Sequence, residues 1–141
     1  MSYDPDNVFA KILRGEAPAH RVYEDDRALA FMDIMPQADG HTLVIPKCPA
    51  RDIFDVPAED LAHTVVVTQR VANAVQRVFA ADGVMVAQLS GAAAGQTVFH
   101  LHFHILPRHV GVAFRPHARD VAPAERLAEH AARIRHVLER L

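Results

Sequence analysis

Three histidines at alternate positions, His100, His102 and His104, spaced by Leu101 and Phe103 and followed by Ile105-Leu106, constrain this chain more than any other feature. Side chains alternate faces along a strand, so a strand over Val98 to Leu106 puts the three imidazoles on one face and Leu101, Phe103 and Ile105 on the other. The apolar face belongs to a core. The imidazoles then look into a cleft or into solvent.

Three chemistries fit such a row. Polar residues can simply occupy the wet face of a half-buried strand. Histidines can ligate a metal, but positions two apart on a strand are separated by about 6.8 Å and the outer pair by about 13 Å, so one ion cannot take all three and would need a partner such as His41. Finally, neutral imidazole can attack phosphorus through Nε2 when Nδ1 carries the proton and gives it to a fixed acceptor. Pattern and spacing alone leave these readings open.

The rest of the chain supplies a scaffold. Asp4-Pro5-Asp6 offers helix-start chemistry, and Val8, Phe9, Ile12 and Leu13 recur at helical spacing before Gly15. Extended runs at 21–24 and 28–32 flank Asp25-Asp26-Arg27 and read as a hairpin, and residues 36–40 read as a loop. Thr42-Leu43-Val44-Ile45 is a β-branched run stopped by Pro46. Asp55 and Pro57 open a helix of about 24 residues with Leu61, Val65, Ala72, Val75 and Phe79 as its apolar stripe, closing by Gly83. Strands are expected over 84–89 and 98–106, joined by the small-residue loop 90–96. Pro123 opens a last helix with Leu127, Ala131, Ile134, Leu138 and Leu141 as its seam, facing either this subunit or a second one.

At 141 residues, half of them hydrophobic, the chain suits one globular domain with a sizeable core. A formal charge of -2 and a pI near 6.5 give no basic field for nucleic acid or anionic lipid, so neither is expected as a partner. Cys48 is the single cysteine, which excludes an intrachain disulfide and suits a strand-end residue in a reducing compartment. Residues 1–9 lack a signal-peptide pattern and no apolar run reaches a membrane span, so the cytoplasm is the expected location.

The triad, with Val8-Phe9-Ala10-Lys11-Ile12, residues 24–34, Pro36-Gln37, residues 41–47 and residues 94–98 in the same order, resembles the histidine triad (HIT) family, in its HINT-like and bacterial HIT branch. The resemblance covers most of residues 6–109, with 110–141 as a C-terminal extension and helix. It implies an α+β fold: a five-stranded antiparallel sheet with one short helix, one long helix and a C-terminal helix, dimerising into a ten-stranded sheet. It also implies hydrolysis or transfer at the α-phosphate of nucleoside 5′-phosphoramidates or dinucleoside polyphosphates, with a nucleotidyl-histidine intermediate and no cofactor.

Carried over position by position, His102 is the nucleophile, His100 braces it through a backbone carbonyl, His104 contacts phosphate or leaving group, and His41 completes the constellation. Asp33 would hold the ribose hydroxyls, with Val8, Phe9, Ile12 and Phe31 as the slot for a purine base. Gly95, Gln96 and Thr97 would meet the phosphate, and Arg108 could add positive charge. Two departures stand out. Val8 and Lys11 occupy the region where some relatives carry zinc-binding cysteines, so no metal is expected. Leu89 stands where an amide residue often touches phosphate, with Gln88 and Ser90 as substitutes. A non-catalytic nucleotide-binding regulatory or scaffold protein and a metal-dependent hydrolase are the alternatives.

Overall fold

The computed structural model describes residues 2–116 and 119–141. Asp25 sets its first hairpin: one carboxylate oxygen accepts the N–H groups of Arg27 and Ala28, each at 2.8 Å, turning β1 (Arg21–Glu24) into β2 (Ala28–Met32). Burial pushes the Asp25 carboxyl up, but these two bonds and those from Tyr23 and His63 outweigh it and hold it at about 2. β3 (Thr42–Pro46), β4 (Gly83–Gln88) and β5 (Phe103–Arg108) complete a five-stranded antiparallel sheet of order β1-β2-β3-β5-β4.

β2 and β3 are buried at every position, because helices cover both faces of the sheet's centre. On one face, α2 (Ala58–Val78) and α3 (Ala124–Leu138) pack Val67, Val71, Val75, Leu127, Ala131, Ile134 and Leu138 onto Ala28, Ala30, Met32, Val44 and Ile105. On the other, α1 (Val8–Leu13) sets Phe9 and Ile12 against Leu29, Phe31, Leu43 and Ile45. The period of two along β2 and β3 thus separates a structural core from the face that carries the chemistry. No described helix is long and apolar enough to cross a membrane.

The structure corrects four expectations. α1 is capped by Asn7, whose side chain accepts the Ala10 N–H at 2.9 Å, and not by the Asp-Pro-Asp run. α2 has 21 residues, and its buried face is Thr64, Val67, Thr68, Val71, Ala74 and Val75. Of the expected stripe, Val75 is buried and Ala72 and Phe79 pack against the same core, but Val65 faces outward and Thr64 and Thr68 join the buried face. Their hydroxyls bond back to the carbonyls of Asp60 and Thr64, both at 2.7 Å, so they bury without cost to their polarity. Val65 and Val66 are left 45% and 61% exposed. The α3 seam packs in cis through Leu127, Ala131, Ile134 and Leu138, while Leu141 lies beyond the helix and is exposed.

The fourth correction concerns the triad itself. The expected strand over 98–106 begins only at Phe103 and continues through Pro107, which pairs with Val84 beyond the end of the β3 ladder, where its missing N–H breaks no bond to β3. Residues 98–102 run instead beside the segment that follows β3. Leu101 donates its N–H to the Ala50 carbonyl at 2.9 Å, and His100 reaches the Pro46 carbonyl. Cys48 lies on that segment half-buried, its thiol pushed up to about 11 by burial and the neighbouring Asp60.

Candidate active site

None of the three triad imidazoles faces open solvent: His100, His102 and His104 are all buried. Their hydrogen bonds fix where each proton sits. The Nδ1 of His102 lies 2.7 Å from the His100 carbonyl oxygen. A carbonyl only accepts, so Nδ1 carries the proton and Nε2 is the unprotonated, nucleophilic nitrogen. The same logic runs through His41, fully buried at the start of β3. Its Nδ1 accepts the Gln37 N–H at 3.1 Å, so its proton is on Nε2, which lies 2.9 Å from His104 Nδ1 and 3.4 Å from Asp33 Oδ2. His104 therefore accepts at Nδ1 and holds its own proton on Nε2.

His100 stands apart from this relay. Its Nε2 donates to the Pro46 carbonyl at 2.8 Å, and its Nδ1 accepts from the Tyr3 hydroxyl at 2.6 Å. Burial lowers its pKa to about 4, so the ring is neutral in that tautomer near pH 7. Tyr3, in the N-terminal segment before α1, was not singled out from the sequence, since an isolated tyrosine there carries no spacing signal.

A cleft opens on the α1 side of the sheet, lined by Val8, Phe9, Ile12, Phe31, Asp33, Thr97, His102 and His104, together with residues the sequence did not nominate, among them Pro18, Ala19, Leu43 and Val98. Leu43 was legible in hindsight, because it shares the alternate register of Ile45. The Phe9 ring stands edge-on to His102, with centroids 5.0 Å apart, and His104 lies 4.9 Å from His102. Asp33 does double duty. Its Oδ1 accepts the Met35 N–H at 2.8 Å to form the turn after β2, while Oδ2 faces His41.

The structure does not bring every nominated residue to the cleft. Gln96 is 3% exposed and spends its amide internally: its oxygen accepts the Gly91 N–H, and its nitrogen donates to the carbonyls of Arg51 and Val98. It stitches loop 91–96 to the segment that follows β3. Gly95 adopts a φ of +106° that closes this loop. Arg108 stacks over Phe114 at 3.8 Å, outside the cleft lining. Ser90 and Gln88 bond to each other, with Ser90 also accepting the Ile53 N–H.

Asp33, His41 and His104 offer ligand atoms within 4.8 Å of one another. The Gln37 N–H aimed at His41 Nδ1 argues against a metal there. Ligation through Nε2 would strip that nitrogen's proton while the other faces a donor, leaving a buried imidazolate. These three residues fit a hydrogen-bonded relay better than a metal site.

Residues 14–111 match the model of the HIT domain. A Hit-like protein involved in cell-cycle regulation from Bartonella henselae superposes with a TM-score of 0.90 at 50% identity, covering 96% of this chain and 98% of that one. A hypothetical histidine triad nucleotide-binding protein from Sulfolobus tokodaii gives 0.88 at 32% identity, covering 95% and 93%. The Arabidopsis thaliana adenylylsulfatase HINT3 is 39% identical over 103 residues, 73% of this chain and 52% of that protein. The chain belongs to the histidine triad family.

Proposed function

We propose that this protein is a nucleotide hydrolase or transferase that cleaves nucleoside 5′-phosphoramidates or dinucleoside polyphosphates at the α-phosphate through a covalent intermediate on His102. One observation carries the reading: the 2.7 Å bond from His102 Nδ1–H to the His100 carbonyl leaves Nε2 as the nucleophilic nitrogen of a cleft-lining ring. In the first half-reaction the Nε2 lone pair attacks phosphorus. The Nε2–P bond forms, the bond from phosphorus to the leaving atom breaks, and that atom keeps the electron pair. A phosphoramidate that carries a proton from solvent on its bridging nitrogen departs as the neutral amine, with His104 Nε2–H donating a hydrogen bond to the phosphate or the leaving group. Water then attacks the nucleotidyl-His102, gives its proton to solvent, and releases the nucleoside monophosphate with neutral His102.

In this reading Asp33 accepts from the ribose hydroxyls, Val8, Phe9, Ile12 and Phe31 take the purine, and Thr97 with the loop backbone donates to phosphate. Gln96 acts by holding that loop. The names of two relatives, one nucleotide-binding and one an adenylylsulfatase, support nucleotide chemistry. The reading extends to a cytoplasmic, single-domain homodimer working without a cofactor. β4 is an edge strand with Met85 and Val86 exposed, and Val86 lines a hollow together with Val65 of α2, a surface on which a second β4 would complete a ten-stranded sheet.

The test is turnover of adenosine 5′-phosphoramidate by wild type and His102→Ala, with substrate trapped under alkaline quench and the labelled residue mapped by mass spectrometry. Turnover in the wild type, its loss in the variant and label on His102 are expected, unaffected by chelator. Near-normal turnover by His102→Ala, or nucleotide binding with no turnover of any substrate class, would refute covalent catalysis.

A further inference from the structure

A second hollow, of about 510 Å³, adjoins the cleft across a common wall of Val8, Thr97 and Val98. It is unlike the cleft in charge. No lysine or arginine lines the cleft among the described residues, whereas the hollow carries Arg51, whose guanidinium lies 4.8 Å over the Phe99 ring. Resting on the proposed α-phosphate chemistry, we propose that this hollow is the leaving-group subsite, and that the Arg51–Phe99 pair recognises a nucleotide-sized leaving group bearing phosphate.

Three observations carry this assignment. The first is continuity: a substrate whose α-phosphate meets His102 and Thr97 has its next groups at the shared wall, and the hollow begins on the other side. The second is charge. A leaving phosphate needs a counter-charge as its bridging oxygen takes the electron pair, and Arg51 is the cation presented next to the cleft. The third is preorganisation. The Arg51 N–H donates to Asp55 at 2.9 Å, its carbonyl accepts from Gln96 at 2.8 Å, and its side chain, 18% exposed, touches Asp52 only at 3.4 Å. The guanidinium thus rests on an aromatic plane with most of its donors uncommitted to Asp52, and its outer face can stack a base. Asp4 also lines the hollow, and its carboxylate offers an acceptor to an exocyclic amine.

The step balances without a further reactant. The His102 Nε2–Pα bond forms, the bond from Pα to the bridging oxygen breaks, and the electron pair stays on that oxygen, which departs as a terminal phosphate oxygen of the nucleoside diphosphate with no proton needed. Water then releases the monophosphate and gives its proton to solvent.

The experiment compares diadenosine triphosphate, adenosine 5′-phosphosulfate and adenosine 5′-phosphoramidate as substrates for wild type, Arg51→Met, Arg51→Lys and Phe99→Leu, each checked for folding by thermal melting. Arg51→Met should lower the ratio of kcat/KM for the dinucleotide over the phosphoramidate at least tenfold, with Arg51→Lys restoring part of it. Phe99→Leu should lower the dinucleotide rate more than the phosphosulfate rate, since only the former leaving group has a base. Equal losses on all three substrates, or an unchanged ratio, overturn the subsite. A small oxyanion site would instead show as Arg51 dependence shared by dinucleotide and phosphosulfate with no Phe99 effect, and it also overturns the nucleotide assignment. Calorimetric binding of diadenosine triphosphate against adenosine monophosphate in a His102→Ala background separates this proposal from the catalytic one. There the Arg51→Met change should weaken the dinucleotide selectively even if wild type turns over none of the substrates, and an unselective effect refutes the subsite.

Discussion

Replacing Tyr3 by phenylalanine isolates one hydroxyl on which the catalytic loop leans. The ring and its edge contact to His100 stay, but the donor 2.6 Å from His100 Nδ1 is lost. His100 is fully buried, and its Nε2–H is committed to Pro46, so the ring cannot answer by switching tautomer without breaking that bond. A buried acceptor deprived of its donor costs about 1–3 kcal/mol. For a chain of this size that lowers Tm by roughly 3 °C per kcal/mol. Because the carbonyl of the same residue accepts from His102 Nδ1–H, part of the loss should appear as disorder of the nucleophile. Thermal melting gives the first quantity. The His102 Nδ1–H proton resonance gives the second, since its exchange with solvent should quicken in Tyr3→Phe. A variant with wild-type Tm and an unchanged His102 resonance would refute the claim that the N-terminal segment holds the triad.

Stability should fall as pH drops from 6.5 through about 4. Across that window the unfolded chain binds a proton at His100 that the folded chain refuses, so the stability present above 6.5 is lost by about 3 kcal/mol at its lower end, with His130, also lowered by burial, acting in the same direction. Urea midpoints at pH 7.5, 5.5 and 4.5 check this, and a flat profile down to pH 4.5 contradicts it. Gln96→Leu leaves the Gly91 N–H and the Arg51 and Val98 carbonyls without the partners they have now, so it should cost about 2–4 kcal/mol in urea unfolding. It should also reduce turnover, whereas a loss below about 1 kcal/mol would show that water replaces the amide.

Much of this architecture was written in local chemistry. Asp25-Asp26-Arg27 announced its hairpin because one carboxylate can cap two backbone N–H groups, and the β-branched run after His41 announced β3. Val8, Phe9, Ile12, Phe31, Asp33, Thr97, His102 and His104 could all be named before any coordinates, and they share one cleft. What failed to show was anything decided at long range. Thr64 and Thr68 look polar until their hydroxyls fold back on α2. Gln96 looks like a phosphate donor until three backbone groups from separate segments claim its amide. Tyr3 acquires a role only because the chain brings it to a residue 97 positions later.

The late start of β5 is the physical reason three identical residues in one repeating pattern do different work. A strand running from 98 would have given the histidines equivalent surroundings on one sheet face. Instead, His104 alone sits in the ladder, between Leu43 on β3 and Ala87 on β4, and β3 brings His41 against its Nδ1. His102 lies just before the ladder, where its own backbone neighbourhood bends the His100 carbonyl onto its Nδ1. His100 lies further out, against the carbonyl of Pro46 and the hydroxyl of Tyr3, and never reaches the cleft. Three different sets of partners therefore impose two tautomers on one side-chain type, Nδ1–H at His102 and Nε2–H at His100 and His104. The alternation specifies that imidazoles will gather, and the break in pairing before Phe103 specifies which of them is free to become the nucleophile's support instead of its equal.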